Sequence, residues 1–252
     1  MAAPLVDTSL FDLSVLDAVE WLRAQPSESI DLLVTDPAYE SLEKHRAVGT
    51  TTRLKHSKGS SNDWFTVFPN ARFAELFDEA FRALKRHTHF YLYCDAETMF
   101  VVKPEAERAG FKFWKPLVWD KKTIGMGYHY RARYEFILFF EKGKRRLNDL
   151  GVADVITVPR IHRGYPAEKP AAVSEVLIAQ SSSPADVVAD PFMGSGSVGV
   201  AALRLGRRFL GSDINPEAVR LTADRLRQYG EGRAPDGLPE PQPGLLELAD
   251  SL

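Results

Sequence analysis

The sequence has very little cysteine, and this scarcity excludes several classes of protein. Cys94 is the only cysteine among 252 residues, so no disulfide can form within the chain. The clustered cysteines of a structural zinc site are missing, and the six histidines show no metal-ligand spacing. We therefore expect no metal site. The cysteine usage fits the reducing cytoplasm.

An excess of one charge and long apolar runs are also missing. The 32 Lys and Arg residues nearly balance the 34 Asp and Glu residues, which excludes a globally basic coat protein but allows a local basic face. No apolar run approaches the roughly 20 residues that span a bilayer. The first residues lack the basic segment and apolar core of a signal peptide. We expect a soluble, cytoplasmic protein without membrane contact.

The sequence does contain alternating strand and helix patterns. Short apolar runs predict strands at residues 30–35, 89–93, 113–119, 135–140, 187–189 and 208–211. Apolar residues at helical spacing predict helices at 73–84, from about 97, at 198–205 and from Pro216. Pro104 predicts a break or restart in the second helix. This alternation predicts an α/β fold with a doubly wound, mostly parallel sheet and helices on both faces.

Three aspartates follow predicted strands directly. They are Asp36, Asp190 and Asp213. The carboxyl ends of parallel strands meet at one end of a sheet, and doubly wound sheets bind ligands there. We therefore expect these three carboxylates to line one cleft.

Two basic segments and a tail interrupt the alternation. Residues 40–63 form a long polar stretch in which five basic residues occur with no acid between them: Lys44, Arg46, Arg53, Lys55 and Lys58. Residues 121–146 hold eight Lys or Arg against two Glu. Each basic segment predicts either contact with nucleic-acid phosphates or a solvated charged face. Residues 230–244 are rich in Pro and Gly and predict a flexible tail.

The first chemical motif is Asp36-Pro37-Ala38-Tyr39, which follows an apolar strand. It combines a carboxylate, a backbone carbonyl held by proline geometry, and an aromatic ring. These groups suit the exocyclic amine of a nucleobase, since two acceptors on its hydrogens free the delocalised lone pair and the ring can stack on the base. An ordinary turn at a strand end is the alternative interpretation of this motif alone.

The second motif is a glycine-containing loop, residues 190–196, that opens a helix. Its glycines let the backbone approach a ligand, and the helix start offers free N–H groups. Asp213 follows the next strand, where an acid suits a pair of ribose hydroxyls. Together these features predict a nucleotide-like ligand. An NAD-dependent oxidoreductase is therefore an alternative, although its cofactor loop normally lies near the N-terminus.

The motifs and their order resemble the β-group of amino-methylating DNA methyltransferases. Asp36-Pro37-Ala38-Tyr39 resembles the family's catalytic Asp-Pro-Pro-Tyr, and residues 190–196 resemble its S-adenosylmethionine loop. Residues 165–170, Tyr-Pro-Ala-Glu-Lys-Pro, are similar to its His-Pro-Thr-Glu-Lys-Pro segment. The resemblance covers roughly residues 5–229. It implies a class I methyltransferase fold with circularly permuted motif order.

The resemblance implies transfer of a methyl group from S-adenosylmethionine to the amine of a flipped-out base. Asp36 and the Pro37 carbonyl would accept from the amine, and Tyr39 would stack on the base. Ala38 replaces the family's second proline, which leaves the carbonyl role intact. The residues implied to bind the cofactor are Asp17, Asp36, Lys169, Asp190, Pro191, Phe192, Gly194, Ser195, Gly196, Asp213 and Ile214.

An Asp before Pro-x-Tyr favours adenine as the target base. The alternatives are an N4-cytosine DNA methyltransferase and a methyltransferase-like DNA-binding module without catalysis. Enzymes of this fold that act on RNA or protein amides usually carry Asn-Pro-Pro-Tyr and the opposite motif order, which argues against them here.

The resemblance also implies an organisation and partners. Residues 1–229 form one methyltransferase domain, with 40–63 as a mobile loop over the target base, 121–166 partly in contact with DNA, and 230–252 as a flexible tail. The residues expected to contact double-stranded DNA are Lys44, Arg46, Arg53, Lys55, Lys58, Arg131, Arg133, Lys144 and Arg145. A homodimer and a paired restriction endonuclease stay open. The expected location is the bacterial cytoplasm, and the nucleoid when DNA is bound. The protein would be encoded by a bacterium or a phage.

Overall fold

Eight strands form a single sheet in the computed structural model, which describes residues 10–41, 66–125, 129–161 and 168–230. The strands are β1 Phe11–Val15, β2 Ile30–Thr35, β3 Leu84–Cys94, β4 Lys112–Asp120, β5 Tyr134–Lys142, β6 Val155–Thr157, β7 Val187–Asp190 and β8 Arg208–Asp213. Their order is β1-β8-β7-β2-β3-β5-β4-β6. Neighbouring strands are parallel except for β5, which runs antiparallel to β3 and β4. The predicted mostly parallel sheet is confirmed.

The reversed direction of β5 decides which of its residues reach the functional end of the sheet. Phe136, near its start, pairs with Cys94 at the carboxyl end of β3. Lys142, at its end, pairs with Thr88. We call the end where β2, β3, β7 and β8 finish the carboxyl end of the sheet. Glu135 therefore lies at the carboxyl end, whereas the residues after Lys142 lie at the opposite end.

Helices cover both faces of the sheet. They are α1 Ala18–Ala24, α2 Phe73–Ala83, α3 Ala96–Ala109, α4 Ala171–Ser181, α5 Ser197–Arg204 and α6 Pro216–Gly230. One buried cluster contains residues of α1, α2 and α3, and a second contains residues of α4, α5 and α6. Strand β3 contributes alternately to the two clusters, with Phe90 and Leu92 in the first and Tyr91 and Tyr93 in the second. The helices thus pack three on each face, as a doubly wound sheet requires.

The expected break at Pro104 is wrong, because α3 is continuous from Ala96 to Ala109. A proline inside a helix removes one backbone hydrogen bond and crowds the preceding turn. Pro104 lies on the exposed side of α3, whereas Val102 and Ala106 are fully buried on the other side. Burial of the residues before and after the proline in the sequence stabilises the continuous helix.

None of the helices among the described residues has the length and apolar character needed to cross a bilayer.

Candidate active site

The three strand-end aspartates gather at the carboxyl end of the sheet, as predicted. Strands β2, β7 and β8 are neighbours, and each ends at or just before one of the carboxylates. Thr35 Oγ1, at the end of β2, donates to Asp190 Oδ1 at 2.6 Å. The Met193 amide donates to the Ser212 carbonyl at 3.0 Å, which joins the loop after β7 to the end of β8. Residues from three separate parts of the chain therefore lie together at the carboxyl end of the sheet.

The glycine loop after β7 is held in shape by its neighbours. Gly194 and Gly196 have φ of +50° and +78°, in the left-handed region that favours glycine. Thr222 Oγ1 on α6 donates to the Gly194 carbonyl at 2.9 Å. A Cβ atom on Gly196 would lie 2.5 Å from the Thr222 methyl group. The loop backbone thus packs directly on α6, with no room for a side chain at Gly196.

Asp213 is fixed by the same loop. Its Oδ2 accepts from the Gly194 amide at 2.9 Å, and its Oδ1 accepts from the Asn215 amide at 2.8 Å. Burial raises the pKa of Asp213, and these two amides partly oppose that rise. Ile214 beside it is 53% exposed, which is unusual for an isoleucine and leaves an apolar surface at the end of the sheet. A polar acceptor and an open apolar side chain thus lie side by side.

Asp17 lies at the start of α1, close to the end of β8. The Leu16 amide donates to the Asp213 carbonyl at 3.2 Å. Asp17 caps α1 by accepting from the Val19 amide at 3.0 Å. Arg72 donates to both of its oxygens at 2.7 Å and lowers the pKa of the carboxyl. Contact with the cofactor, as predicted for Asp17, would have to share a carboxylate that already has these partners.

Asp36-Pro37-Ala38-Tyr39 follows β2 and packs against residues 68–70. The Phe68 amide donates to the Ala38 carbonyl at 2.6 Å. Tyr39 forms an isolated bridge with Phe68, is 7% exposed and belongs to a buried cluster. Burial raises the pKa of its phenol well above the usual range. The loop is therefore braced at Ala38 by a backbone hydrogen bond, and the Tyr39 ring packs into protein in this structure.

Asp36 takes part in a line of alternating charges. Lys169 forms an ion pair with Asp36 and lies 3.3 Å from Glu135 Oε2. Lys121 in turn donates to Glu135 Oε1 at 2.5 Å. Burial raises the pKa of Asp36, and the neighbouring Lys169 opposes that rise. The side chain of Asp36 is 27% exposed, so a ligand can reach it.

Lys169 is positioned by contacts on either side of it. Arg225 on α6 donates to Glu168 Oε1 at 2.7 Å and to the Ser195 carbonyl at 2.5 Å. Pro170 immediately precedes α4. The segment that carries Lys169 is therefore joined to both the glycine loop and α6.

Two charged residues of the site, Glu135 and Lys121, were not predicted from the sequence. They flank the β4–β5 connection, and their position at the carboxyl end depends on the antiparallel direction of β5. The signal available in the sequence was the pair of strands at 113–119 and 135–140, with an acid at the start of the second. That signal becomes informative only once the pairing of β3 with β5 is known.

The structure divides the predicted DNA contacts. Arg131 and Arg133 lie in the β4–β5 connection at the carboxyl end, where Arg133 pairs with Asp120 at 2.6 and 2.7 Å. Lys144 and Arg145 follow β5 at the opposite end of the sheet. Lys142 lies seven positions after Glu135 in β5, which is a distance of about 24 Å along the strand. The structure therefore does not bring Lys144 and Arg145 to the cleft.

Other predicted sites fall outside the described residues. These are Lys44, Arg46, Arg53, Lys55 and Lys58, most of the predicted loop 40–63, and residues 231–252 of the predicted tail.

Comparison with known families decides what kind of protein this is. Residues 30–156 and 150–224 match the N6/N4 methyltransferase family, described as DNA methylase. The chain belongs to the DNA methylase family. The methylase therefore uses S-adenosylmethionine as its cofactor. Its family membership decides against the NAD-dependent oxidoreductase.

Curated relatives of the methylase include a protein named as a DNA adenine methyltransferase and a protein named as a type II methyltransferase. It is 26% identical to the DNA adenine methyltransferase YhdJ of Escherichia coli K12 over 249 residues, covering 83% of this chain and 80% of that protein. It is 25% identical to the type II methyltransferase M.HpaI of Haemophilus parainfluenzae over 262 residues, covering 89% and 80%.

Solved structures support the fold of the methylase. The M1.HpyAVI complex with S-adenosylmethionine has a TM-score of 0.63 at 21% identity, covering 85% of this chain and 99% of that one. The cytosine-N4-specific PvuII DNA methyltransferase has a TM-score of 0.67 at 17% identity, covering 89% and 91%. The class I methyltransferase fold is thus confirmed. The base that this methylase modifies is not decided, because both specificities occur among its neighbours.

Proposed function

We propose that this methylase transfers a methyl group from S-adenosylmethionine to the N6 amine of a flipped-out adenine in double-stranded DNA. The observation that supports this most is the joint placement of Asp36-Pro37 and the glycine loop. Strands β2 and β7 are neighbours, so the acceptors on one strand end lie beside the cofactor loop on the next. A base bound at the first can then meet a methyl group held at the second.

The residues around Asp213 fit an adenosyl group. Each carboxylate oxygen of Asp213 accepts a single amide, which leaves lone pairs for the two ribose hydroxyls. The exposed Ile214 offers an apolar surface for the adenine ring. The backbone of the loop would border the methionine part, and Gly196 holds that backbone against Thr222 of α6. Asp190 and Phe192 shape this loop, since the Phe192 amide donates to Asp190 Oδ1 at 2.9 Å.

Asp36 and the Pro37 carbonyl activate the amine of the target base. When bound, S-adenosylmethionine supplies a methyl group on a positively charged sulfur that departs as a neutral thioether. Asp36 and Pro37 accept the two amine hydrogens, so the nitrogen lone pair leaves the ring system and forms the new bond to carbon. The nitrogen then loses one proton to solvent. Positioning and the fixed acceptors at the developing positive charge supply much of the rate.

Adenine is favoured over cytosine by the acid of the motif. Asp36, rather than serine, precedes Pro37, and the relative YhdJ is named as an adenine methyltransferase. Cytosine N4 is the second candidate, because the PvuII enzyme shares the fold and is named as cytosine-N4-specific. Both amines could use the same acceptors, so the product must be identified chemically.

DNA would approach from the carboxyl end of the sheet. The target base must leave the duplex to reach Asp36. Arg131 and Arg133 are exposed at that end and can meet phosphates beside the cleft. Residues 40–63, which directly follow the catalytic motif in the sequence, are proposed to close over the base. The homodimer and the paired restriction endonuclease stay predictions.

The decisive experiment is transfer of labelled methyl from S-adenosylmethionine to unmethylated duplex DNA, followed by nucleoside analysis. We expect N6-methyladenine from the wild type. Asp36→Ala should reduce the rate by roughly 100-fold or more, because it removes a fixed acceptor at the developing charge. Asp78→Ala, an exposed carboxylate on α2, is the control and should keep the wild-type rate.

Each result of that experiment has one meaning. Methylcytosine as the product would keep the mechanism and overturn the adenine assignment. DNA and cofactor binding without any transfer would favour the non-catalytic DNA-binding module. Equal activity in Asp36→Ala and Asp78→Ala would contradict the role of Asp36.

A further inference from the structure

Lys169 lies between two carboxylates, and the mechanism above uses only one of them. Its ammonium is paired with Asp36 Oδ2 and lies 3.3 Å from Glu135 Oε2. The side chain is 12% exposed, and the centroid of the Tyr93 ring lies 5.6 Å from the ammonium. Burial opposes the charge on Lys169, but the two carboxylates outweigh burial and raise its pKa well above the usual range. Lys169 is therefore a cation with two anionic partners.

Glu135 is fixed by a second lysine while one of its oxygens stays available. Lys121 Nζ donates to Oε1 at 2.5 Å, and its ammonium lies 5.2 Å from the Trp119 ring centroid. The other oxygen, Oε2, is buried and accepts no well-aligned hydrogen bond from any described residue. A buried carboxylate oxygen is stable only with a donor or a nearby cation. The Lys169 ammonium lies 3.3 Å from this oxygen.

The distance between Lys169 and Glu135 is short enough for an exchange of partner. Charge-assisted N–H···O hydrogen bonds have lengths of about 2.7–2.9 Å. A turn of the Lys169 ammonium, with a shift of roughly 0.5 Å from the observed 3.3 Å, would complete such a bond with Oε2 of Glu135. Lysine carries a compact charge on a flexible stem, which suits such a movement.

The chemistry at Asp36 gives this exchange a purpose. An oxygen of Asp36 that accepts from Lys169 is a weaker acceptor for the amine of a base. The Lys169 ammonium also repels the positive charge that develops on the amine nitrogen during transfer. Both effects diminish when Lys169 turns from Asp36 toward Glu135.

We infer that Glu135 is a positioning residue that takes Lys169 from Asp36 when the target amine arrives. This inference rests on the proposed function, because it assigns Asp36 to the amine. Lys121 holds Glu135 in place for the exchange. No bond other than hydrogen bonds changes in this step, and Lys169 keeps its proton throughout.

The test compares Glu135→Gln with Glu107→Gln in single-turnover methyl transfer to duplex DNA. Glu107 pairs with Lys103 on the surface of α3 and is the matched control, since the same chemical change there removes one ion pair. We expect Glu135→Gln to slow transfer by about 10- to 100-fold, because a misplaced acceptor costs that much in rate. The Kd for S-adenosylmethionine should change less than about threefold, since Glu135 acts through Lys169 and Asp36.

The pH dependence of the single-turnover rate separates positioning from mere folding. Burial and Glu135 raise the pKa of Asp36, whereas Lys169 lowers it. The acid limb of the rate profile should therefore move to lower pH in Glu135→Gln and stay in place in Glu107→Gln. A loss of folded protein would reduce the rate without moving the limb. The other titratable groups coupled electrostatically to Asp36 are Lys121, Tyr39, Tyr93, Cys94 and Asp190.

Glu135→Asp keeps the test decisive where the amide variant does not fold. It retains the charge on a shorter side chain, and we expect a rate between those of the wild type and Glu135→Gln. The inference is overturned by a Glu135→Gln enzyme with the rate and acid limb of the wild type. It is also overturned if Glu135→Gln is slow, its acid limb stays at the wild-type pH, and Glu135→Asp is no faster than Glu135→Gln. Failure of the wild type to methylate DNA would instead refute the proposed function.

Discussion

At the scale of single residues, Asp190 shapes the glycine loop through its own hydrogen bonds. Its carboxylate is 2% exposed and accepts from Thr35 Oγ1 at 2.6 Å and from the Phe192 amide at 2.9 Å. These protein partners shape the loop, and the cofactor contact of Asp190 stays a prediction. Burial raises the pKa of Asp190 to about 7, and the two hydrogen bonds oppose the rise only in part. Such a group makes folding depend on pH.

We predict that Asp190→Asn gains stability relative to the wild type as the pH rises. The folded state of the wild type keeps the Asp190 proton up to pH about 7, whereas the unfolded carboxyl loses it near 3.8. The stabilisation from this proton is complete below pH 3.8 and is lost as the pH rises toward 7. The amide does not titrate, so the difference in unfolding free energy should move by about 2 kcal/mol between pH 5 and 7.

Urea unfolding of both proteins at pH 5, 6, 7 and 8 measures this difference. Asp78→Asn, at an exposed position of α2, is the control and should follow the wild type at every pH. A constant difference between Asp190→Asn and the wild type would show that Asp190 is ionised throughout.

At the scale of elements, the junction between the glycine loop and α5 depends on one backbone conformation. Gly196 directly precedes α5, with φ of +78°. Gly206, after the same helix, has a similar φ of +71°, but a Cβ there would meet no atom within 4 Å. The two glycines therefore share the backbone strain of a substitution and differ in the space available. This pair separates conformation from packing.

We predict that Gly196→Ala destabilises the protein more than Gly206→Ala. The left-handed conformation should cost each variant about 1–2 kcal/mol. Gly196→Ala should cost about 1 kcal/mol more, because its Cβ would lie 2.5 Å from the Thr222 methyl group. Gly196→Ala should also weaken binding of S-adenosylmethionine, whereas Gly206→Ala should not. Thermal unfolding and calorimetric titration measure the two effects, and equal losses in both variants would contradict the packing argument.

Helix α3 shows why local sequence signals wrongly predicted a break at Pro104. The sequence shows Pro104 in a helical pattern, and proline commonly ends a helix. Whether the turn survives depends on what its neighbours bury, and Val102 and Ala106 are fully buried. Burial on one side is a tertiary property, so the proline by itself predicted the wrong outcome.

At the scale of the whole molecule, the sheet separates two groups of basic residues that are close in the sequence. Arg131 and Arg133 lie at the carboxyl end, and Lys144 and Arg146 lie beyond the end of β5 at the opposite end. A duplex that presents a flipped base to Asp36 lies along the carboxyl end. Only the first pair can then neutralise phosphates near the base.

We predict that neutralising the two pairs has different effects on DNA binding. Arg131→Gln with Arg133→Gln should weaken binding and reduce the slope of log K against log salt by about 1–2, because each phosphate contact contributes about 0.9. Lys144→Gln with Arg146→Gln removes the same charge and should leave the slope unchanged. Fluorescence anisotropy on one duplex at several salt concentrations measures both. A larger effect from the second pair would place DNA at the opposite end of the sheet.

Local sequence signals were sufficient for the elements that bury a periodic apolar face. The strand at 30–35 and the helix from Phe73 have the predicted bounds to within a residue. The helix at Pro216 begins where proline geometry predicts it. The short strand β6 escaped prediction, because Val155–Thr157 has too few residues for a period and is defined by its pairing with β4.

The sequence by itself determined the class of fold, the family and the cofactor, because each depends on patterns among neighbouring residues in the chain. Asp36-Pro37 and the glycine loop are local structures whose groups are set by adjacent backbone. The tertiary structure decided which distant charges meet them. Lys121 and Glu135 reach Lys169 only because β5 runs antiparallel to β3, and Lys144 is kept away for the same reason. Strand direction is set by pairing and burial across the sheet, which no local pattern specifies.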